Sequence, residues 1–316
     1  MPAIDIHAHY YQPHHQVAPP PSWWSPERRE ESARNAEVLR SFDRIVEVSD
    51  AAGVDTRVLS LPAASRFADF DTAPPHLAEV AALNDYLAGG VRDNPGRLLG
   101  LATVDAFAGE DGAAEVRRAV DELSLSGIVV DSGRADVFLG APETVPTLQE
   151  AAHLGVPVFV HPVGLSLTPK LIEQAGQLGA SYGRGLANGL ALLSLIHRGL
   201  LDSIPNLRIV FTTLGIGSLG IAGTWRARGG LAADDGRWQV YFDTMGFDAH
   251  NVAYLVSVLG ARRVLLGSDF PHQVDATRER VAAALSGAGV SADDQELIRG
   301  GNAAALLVRQ PAAQPA

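Results

Sequence analysis

AIDIHAH, residues 3–9, is a short apolar segment of β-strand character that ends in two histidines separated by one residue. Side chains alternate between the two faces of a strand, so His7 and His9 point to the same side and can bind one ion together. Asp5 points to that side as well, one step deeper. A single His-x-His pair also arises by chance, so its meaning depends on the residues that end the other strands.

Seven similar segments follow at wide spacing, and helical patterns separate them. Continuous apolar strands that alternate with helices are typical of a buried parallel sheet. Eight such units predict an α/β fold, a (β/α)8 TIM barrel. The predicted strands are residues 3–7, 56–61, 97–104, 127–131, 156–161, 207–213, 240–244 and 263–269. The clearest helical patterns cover residues 76–92, 113–123, 143–154 and 187–201.

Three segments interrupt this alternation, and we expect them to line a pocket at the barrel mouth. They are residues 13–31, 61–75 and 164–184, of which the first is rich in Pro, Trp and charge and is predicted to be a loop. The alternation predicts a single domain over residues 1–309. Residues 310–316, QPAAQPA, are predicted to be a disordered tail.

Composition excludes several classes of function. The formal net charge of −11 argues against nucleic acid as a partner and against an anionic membrane surface, since both require a basic face. The chain has no cysteine, so a metal has to be bound by histidines and carboxylates. No signal-peptide pattern and no apolar run of the ~20 residues that span a bilayer is present. We therefore expect a cytoplasmic protein that needs no membrane.

Two more candidate metal ligands end later strands. His161 closes the fifth predicted strand in VPVFVHP, and Asp269 closes the eighth in VLLGSDFPH. Alone, His161 could be a hydrogen-bonded core histidine and Asp269 a turn residue. The C-terminal ends of barrel strands, however, converge on one mouth, where barrel active sites lie. Three imidazoles and one carboxylate suit Zn²⁺ or Mn²⁺, so we predict that His7, His9, His161 and Asp269 bind one divalent metal.

These residues stand in motifs that resemble the amidohydrolase superfamily. The motifs are IDIHAHYYQP near the start, GVPVFVHP at residues 155–162, IPNLRIVF at residues 204–211 and RVLLGSDFPH at residues 263–272. More narrowly, they resemble its decarboxylase branch, which includes aminocarboxymuconate semialdehyde, γ-resorcylate and 6-methylsalicylate decarboxylases, the last group being the most similar. The resemblance covers nearly the whole chain.

The resemblance implies a metal-dependent amidohydrolase-type barrel with the four ligands already named, zinc as the first expectation and manganese as the alternative. It implies a small carboxylate as substrate and a homodimer as the assembly. It also implies that Asp269 relays a proton to the carbon that loses CO2.

One position departs from the family pattern. The family usually has His-x-Gly-Gly after the PNLRIV motif, whereas this chain reads IVFTTLGIGS and has Thr213 at the histidine position. Threonine is no acid or base near neutral pH, but it can hydrogen-bond a substrate or a water. The candidate catalytic residues are therefore Asp269, Thr213 and His272, which follows the eighth strand. Three arginines are candidates for binding a substrate carboxylate: Arg66, Arg134 and Arg184.

Three classes of function remain open from the sequence. The first is a metal-dependent decarboxylase, a carbon–carbon lyase that acts on a small aromatic or unsaturated carboxylate. The second is a metal-dependent hydrolase or hydratase on the same scaffold. The third, favoured by the loss of the strand-six histidine, is a biosynthetic isomerase or cyclase, or a binding protein without the ancestral reaction.

Overall fold

Eight parallel strands form one sheet in chain order. The computed structural model describes residues 1–15, 20, 24–73, 75–228, 238–272 and 275–309. The strands are β1 (Ile4–His9), β2 (Thr56–Ser60), β3 (Leu98–Thr103), β4 (Gly127–Asp131), β5 (Val158–His161), β6 (Arg208–Phe211), β7 (Gln239–Asp243) and β8 (Val264–Leu265). A short antiparallel hairpin of Gly133–Arg134 and Val137–Phe138 follows β4.

Backbone hydrogen bonds join the first strand to the segment that follows the last. The amide of Ile6 donates to the carbonyl of Leu266 at 2.9 Å, and the amide of His9 donates to that of Phe270 at 3.0 Å. Ala8 and Phe270 also form an isolated parallel bridge. The predicted (β/α)8 barrel is confirmed, although β8 is shorter than the predicted strand 263–269.

The interior of the barrel is packed with side chains drawn from the strands. One buried cluster contains Ile4, Ile6, Val58, Leu101, Val129, Phe159, Val210 and Leu265, with Ala303 and Leu306 of the C-terminal helix packed against them. A larger cluster contains the residues that point outward from the strands, such as Leu59, Val130 and Ile209, together with the apolar faces of the helices. This alternation is the period-two pattern that buries both faces of a parallel sheet.

Helices surround the sheet on its outer side. The long α-helices are Pro26–Leu39, Phe42–Ala52, Leu77–Asp93, Glu110–Asp121, Val145–Leu154, Thr168–His197, Gly217–Ala227, Ala249–Leu259 and Arg278–Gly287. Shorter helical segments are Ala63–Arg66, Leu200–Ser203, Ala292–Glu296 and Asn302–Leu307, with single turns at Ala106–Ala108, Pro142–Thr144, Thr213–Ile216, Ala261–Arg263 and Leu297–Gly301. No helix within the described ranges combines the length and the apolar run needed to cross a bilayer.

Residues 164–184 were predicted to interrupt the alternation of strands and helices, but most of them are helical, and the prediction of residues 13–31 as a loop is wrong for its last part. Thr168–His197 is one helical element of 30 residues with a kink at Gly176, and Pro26–Leu39 begins at the cap Ser25. Glycines obscured the long helix, because each lowers helix propensity by about 1 kcal/mol relative to alanine. Gly185 shows their role: a Cβ there would lie 2.5 Å from the carbonyl oxygen of Leu214.

The predicted disorder of residues 310–316 concerns residues outside the described ranges. Residues 16–19 and 21–23 of the predicted loop also lie outside the described ranges.

Candidate metal centre and active site

The four predicted metal ligands meet at the C-terminal mouth of the barrel. One ligand atom from each of His7, His9, His161 and Asp269 lies within 4.8 Å of the others. The centroids of the three imidazole rings are 5.2 to 5.8 Å apart. The cluster rests on the packed interior, since the His7 ring lies 4.8 Å from that of Phe159. The tertiary structure therefore brings together residues that are up to 262 positions apart.

Hydrogen bonds fix which nitrogen of two imidazoles faces the cluster. Nδ1 of His9 donates to the carbonyl oxygen of Ser60 at 3.0 Å, and Nδ1 of His7 lies 2.7 Å from Oδ2 of Asp243. A carbonyl only accepts, so the neutral His9 presents a lone pair at Nε2, which lies 2.9 Å from Asp269. Nε2 of His7 is buried and makes no hydrogen bond among the described residues, but it lies 3.3 Å from Oδ1 of Asp269.

At this distance the nitrogen lone pairs of the imidazoles and the Asp269 carboxylate repel one another unless a positive charge lies between them. Imidazole nitrogens and one carboxylate oxygen converge on a point, and this donor set could hold a divalent cation. The imidazoles of His7 and His9 are also held from behind through Nδ1, which is the usual support of metal-binding histidines. The residues fit a metal on their own geometry.

The electrostatics of the cluster agree with this assignment. Burial lowers the pKa of His7, but the charges of Asp269 and Asp243 outweigh it and raise the pKa to about 10. Burial raises the pKa of Asp269, but His7 and His9 outweigh it and hold the pKa well below its usual range. Both shifts have the direction expected where positive charge is favoured beside the Asp269 carboxylate, and a bound cation would supply such charge.

The carboxylate of Asp243, at the end of β7, supports His7. Its Oδ1 accepts hydrogen bonds from the backbone amide of Thr213 at 2.8 Å, the Thr213 hydroxyl at 3.0 Å and the amide of Met245 at 3.2 Å. Thr213 is buried, and its hydroxyl also donates to the backbone carbonyl of Asp243. The threonine at the histidine position thus holds the carboxylate that supports His7, and it is not among the residues that line the cavity above the cluster.

Asp5 does not join the cluster, although it lies on the same strand as the two histidines. Its carboxylate accepts hydrogen bonds from Nη1 of Arg57 and from the hydroxyl of Ser268, each at 2.6 Å, and both Asp5 and Arg57 are fully buried. Ser268 immediately precedes Asp269. The buried ion pair therefore fixes the segment that carries the carboxylate ligand.

Two backbone features bring that segment close to β1 and β7. A Cβ on Gly267 would lie 2.7 Å from the Cβ of Asp243 and 3.1 Å from the Cβ of His7, so the chain can pass here only without a side chain. Asp269 has a φ of +59°, in the left-handed region that non-glycine residues rarely adopt. Such a conformation at a ligand residue is held in place by its surroundings and directs the carboxylate to the cluster.

A cavity of about 260 Å³ opens above the four ligands. Its apolar wall includes Tyr11, Trp24, Leu61, Leu214 and Met245. The candidate His272 lines it, with its ring centroid 5.4 Å from that of His9. The long helix contributes Gln177, Ser181 and Arg184, so residues 164–184 do line the pocket as expected, although as a helix. The volume suits one substituted six-membered ring.

Sequence reasoning missed Asp131, which ends β4. It is paired in register with His161 on β5, its Oδ2 accepts a hydrogen bond from the amide of Ala64 at 3.1 Å, and its Oδ1 is buried without a partner among the described residues. Burial is the main cause that raises the pKa of this carboxyl to about 7. Its position at a strand end was a readable signal, but its burial depends on the tertiary packing.

Comparison with known proteins gives relatives along most of the chain. 2-Amino-3-carboxymuconate-6-semialdehyde decarboxylase of Dictyostelium discoideum is 30% identical over 205 residues, 60% of this chain and about half, 55%, of that protein. Gamma-resorcylate decarboxylase of a Polaromonas species is 27% identical over 290 residues, 84% of this chain and 86% of that protein.

The solved structures include dihydroxybenzoic acid decarboxylase of Polaromonas with bound manganese and the inhibitor 2-nitroresorcinol. It superposes with a TM-score of 0.78 at 22% identity, over 97% of this chain and 96% of that one, which shows a shared fold. The sequence profile of the amidohydrolase family matches residues 4–309, nearly the whole chain. With the barrel and the His-x-His, His and Asp cluster at its mouth, this match shows that the protein belongs to the amidohydrolase family.

Proposed function

We propose that this protein is a metal-dependent decarboxylase, a carbon–carbon lyase that removes CO2 from a small aromatic carboxylate. The observation that carries the proposal is the convergence of His7, His9, His161 and Asp269 at the floor of a cavity sized for one ring. The relatives named above are decarboxylases of ring or unsaturated carboxylates, which supports the same reaction class here. Unsaturated carboxylates of similar size remain within the proposed substrate range.

The proposed cofactor is one divalent metal held by these four residues. Zinc, our first expectation from the sequence, and manganese both suit the imidazole and carboxylate donors. The manganese in the similar dihydroxybenzoic acid decarboxylase supports manganese. When bound, the metal supplies positive charge that holds and orients a carboxylate and a neighbouring hydroxyl group.

The residues around the proposed metal site have separate roles in the reaction. The apolar wall of Tyr11, Leu61, Leu214 and Met245 contacts the ring faces and excludes water. Asp269, whose side chain is 14% exposed, is ionised at rest because its pKa is held well below the usual range; once it has taken up a proton, it lies where it can pass that proton to the ring carbon that bears the carboxylate. The new C–H bond forms, the C–C bond breaks, and its electron pair restores the aromatic ring as CO2 leaves. His272, on the cavity wall, is placed to return a proton from solvent.

The test is the release of CO2 from a panel of hydroxybenzoates by metal-loaded protein, followed in D2O by incorporation of one deuterium on the ring. We expect Asp269→Asn and His7→Ala to abolish turnover. His250→Ala, a matched control at a side chain that is 98% exposed, should leave it unchanged. Release of CO2 at the wild-type rate by Asp269→Asn would refute the role of this carboxylate.

The same experiment separates the alternatives. A hydrolase or hydratase would incorporate solvent ¹⁸O into its product without releasing CO2. An isomerase or cyclase would change its substrate without either signal, and a binding protein would show neither turnover nor label.

Assembly, location and domain organisation remain proposals. We propose a homodimer, and an exposed apolar face that includes Leu178, Tyr182, Ile221 and Trp225 supports it. Light scattering coupled to gel filtration measures the mass directly, and a monomer at micromolar concentration would contradict the proposal. A single domain over residues 1–309 and a cytoplasmic location are proposed on the sequence patterns described above.

A further inference from the structure

Arg184 is an unusual cation in the cavity above the metal ligands. It lies on the helix Thr168–His197, is half-buried, and lines the same cavity as the four ligands. Among the residues that the structure describes, its guanidinium has neither a hydrogen bond nor an ion pair. A guanidinium offers five N–H donors, and partial burial without a partner leaves them without full hydration.

The other candidate carboxylate clamps are engaged elsewhere. Arg134 donates to Asp105 at 2.9 Å and lies outside the cavity lining. Arg66 lies against the ring of Phe67, 5.1 Å from its centroid, and also lies outside that lining. Of the three arginines singled out in the sequence, Arg184 is therefore the one that faces the cavity.

The second arginine of the cavity, Arg28, has a different environment. Its guanidinium carbon lies 4.5 Å from the centroid of the Trp24 ring, a cation–π contact that forms part of the wall. Among the described residues of the cavity lining, Arg184 is thus the arginine that remains available to a ligand.

We propose that Arg184 binds a second acidic group of the substrate, on the part of the ring remote from the carboxylate that is lost. This inference rests on the proposed function, in which the reacting carboxylate is held at the cluster of His7, His9, His161 and Asp269. The guanidinium then has a fork geometry suited to a second carboxylate. The substrate class is an aromatic acid with two anionic substituents, and Arg184 is the residue that selects it.

The test measures binding and does not depend on turnover. Benzoate and the 1,3- and 1,4-benzenedicarboxylates are titrated calorimetrically into the metal-loaded wild type, Arg184→Gln and Arg184→Lys. Arg66→Gln is the matched control, since it removes one positive charge from a half-buried position outside the cavity lining. Thermal unfolding of each variant verifies that it is folded.

We expect the wild type to bind one of the dicarboxylates about 10- to 100-fold more tightly than benzoate, the range of one charge-assisted hydrogen-bonded contact. Arg184→Gln should abolish that preference and leave the affinity for benzoate within about 3-fold. Arg184→Lys should restore part of it, because lysine keeps the charge and loses the fork. Arg66→Gln should retain the full preference.

If Arg184→Gln lost affinity for benzoate and for the dicarboxylates by the same factor, the proposed subsite would be overturned. Such a result would indicate a general effect of charge on anion binding. A wild type that binds no dicarboxylate better than benzoate would overturn it as well. Either outcome leaves the proposed decarboxylation intact. Failure of the CO2 assay with a preserved dicarboxylate preference would instead refute the reaction and retain the binding site.

Discussion

Asp243→Asn is the substitution that most directly tests how this site is built. The carboxylate of Asp243 accepts from Nδ1 of His7 at 2.7 Å, while its other oxygen accepts two hydrogen bonds from Thr213 and one from Met245. In the asparagine variant the carbonyl oxygen can keep the Thr213 amide, so the amide NH2 faces His7. Two donors then meet unless the imidazole moves its hydrogen to Nε2, the nitrogen that faces the metal position.

The cost follows from these contacts. A hydrogen bond to a charged group contributes about 1.5 to 3 kcal/mol, and the variant loses it or places a hydrogen on the ligand nitrogen. Loss of such a support of a metal-binding histidine lowers metal affinity by about 10- to 100-fold, which corresponds to about 1.4 to 2.8 kcal/mol. The two ranges agree, so we expect a Kd for Mn²⁺ or Zn²⁺ that is raised by at least about tenfold.

The assay is competition for the metal between the protein and a chromogenic chelator at constant pH, with the metal content verified by mass spectrometry. Thr213→Val is the graded comparison, because the backbone amide of residue 213 still holds Asp243 and only the hydroxyl contact is lost. Its loss of affinity should be smaller, within about 5-fold. Wild-type affinity in Asp243→Asn would refute the argument that Asp243 sets the tautomer of His7.

Three further predictions follow from the same contacts. Gly267→Ala should lower metal affinity about tenfold, because the new Cβ displaces the side chains of Asp243 and His7. Arg57→Met leaves the buried Asp5 without its cation, and the free energy of unfolding measured in urea should fall by about 3 to 5 kcal/mol. Asp131→Asn should stabilise the metal-free protein as pH rises from about 4 to 7. The pKa of the Asp131 carboxyl is about 7 in the folded wild type, which is above its value in the unfolded chain. The stability that this carboxyl contributes is fully present below the unfolded pKa. It declines by up to roughly 4 kcal/mol as the pH rises to the folded pKa.

Each of these has a matched control. Gly223→Ala places a Cβ where no atom lies within 4 Å, so its metal affinity should equal that of the wild type, and equal effects at both glycines would contradict the packing argument. Arg228→Met removes an exposed arginine and should change stability by less than about 0.5 kcal/mol. Asp121→Asn, at a side chain that is 42% exposed, is the control that also replaces one carboxylate by an amide, and a pH-independent difference between Asp131→Asn and the wild type would refute the raised pKa of the Asp131 carboxyl.

Local sequence patterns were sufficient to predict those strands and helices whose apolar periodicity and end signals lie within the element itself. Strand β4 was predicted with its observed bounds, and the helix Leu77–Asp93 differs by one residue at each end from the predicted 76–92. Both have a strong apolar periodicity and clear ends. The helix Thr168–His197 was missed in its first half, where glycines that pack closely against Leu171 and Leu214 lower the helical signal. These glycines are tolerated in the helix because of their contacts with neighbouring residues, and the local sequence pattern does not show those contacts.

The sequence by itself determined the barrel and the four candidate ligands of the metal site, because strand period, strand order and the barrel mouth are consequences of local pattern and topology. The tertiary structure alone decided what holds and surrounds them. Asp243 became the support of His7, Asp5 the partner of Arg57, and Arg184 a cation of the cavity that has neither a hydrogen bond nor an ion pair within the described part of the chain. These roles depend on distances between side chains far apart in the chain, and burial sets their electrostatic strength, which no local pattern contains.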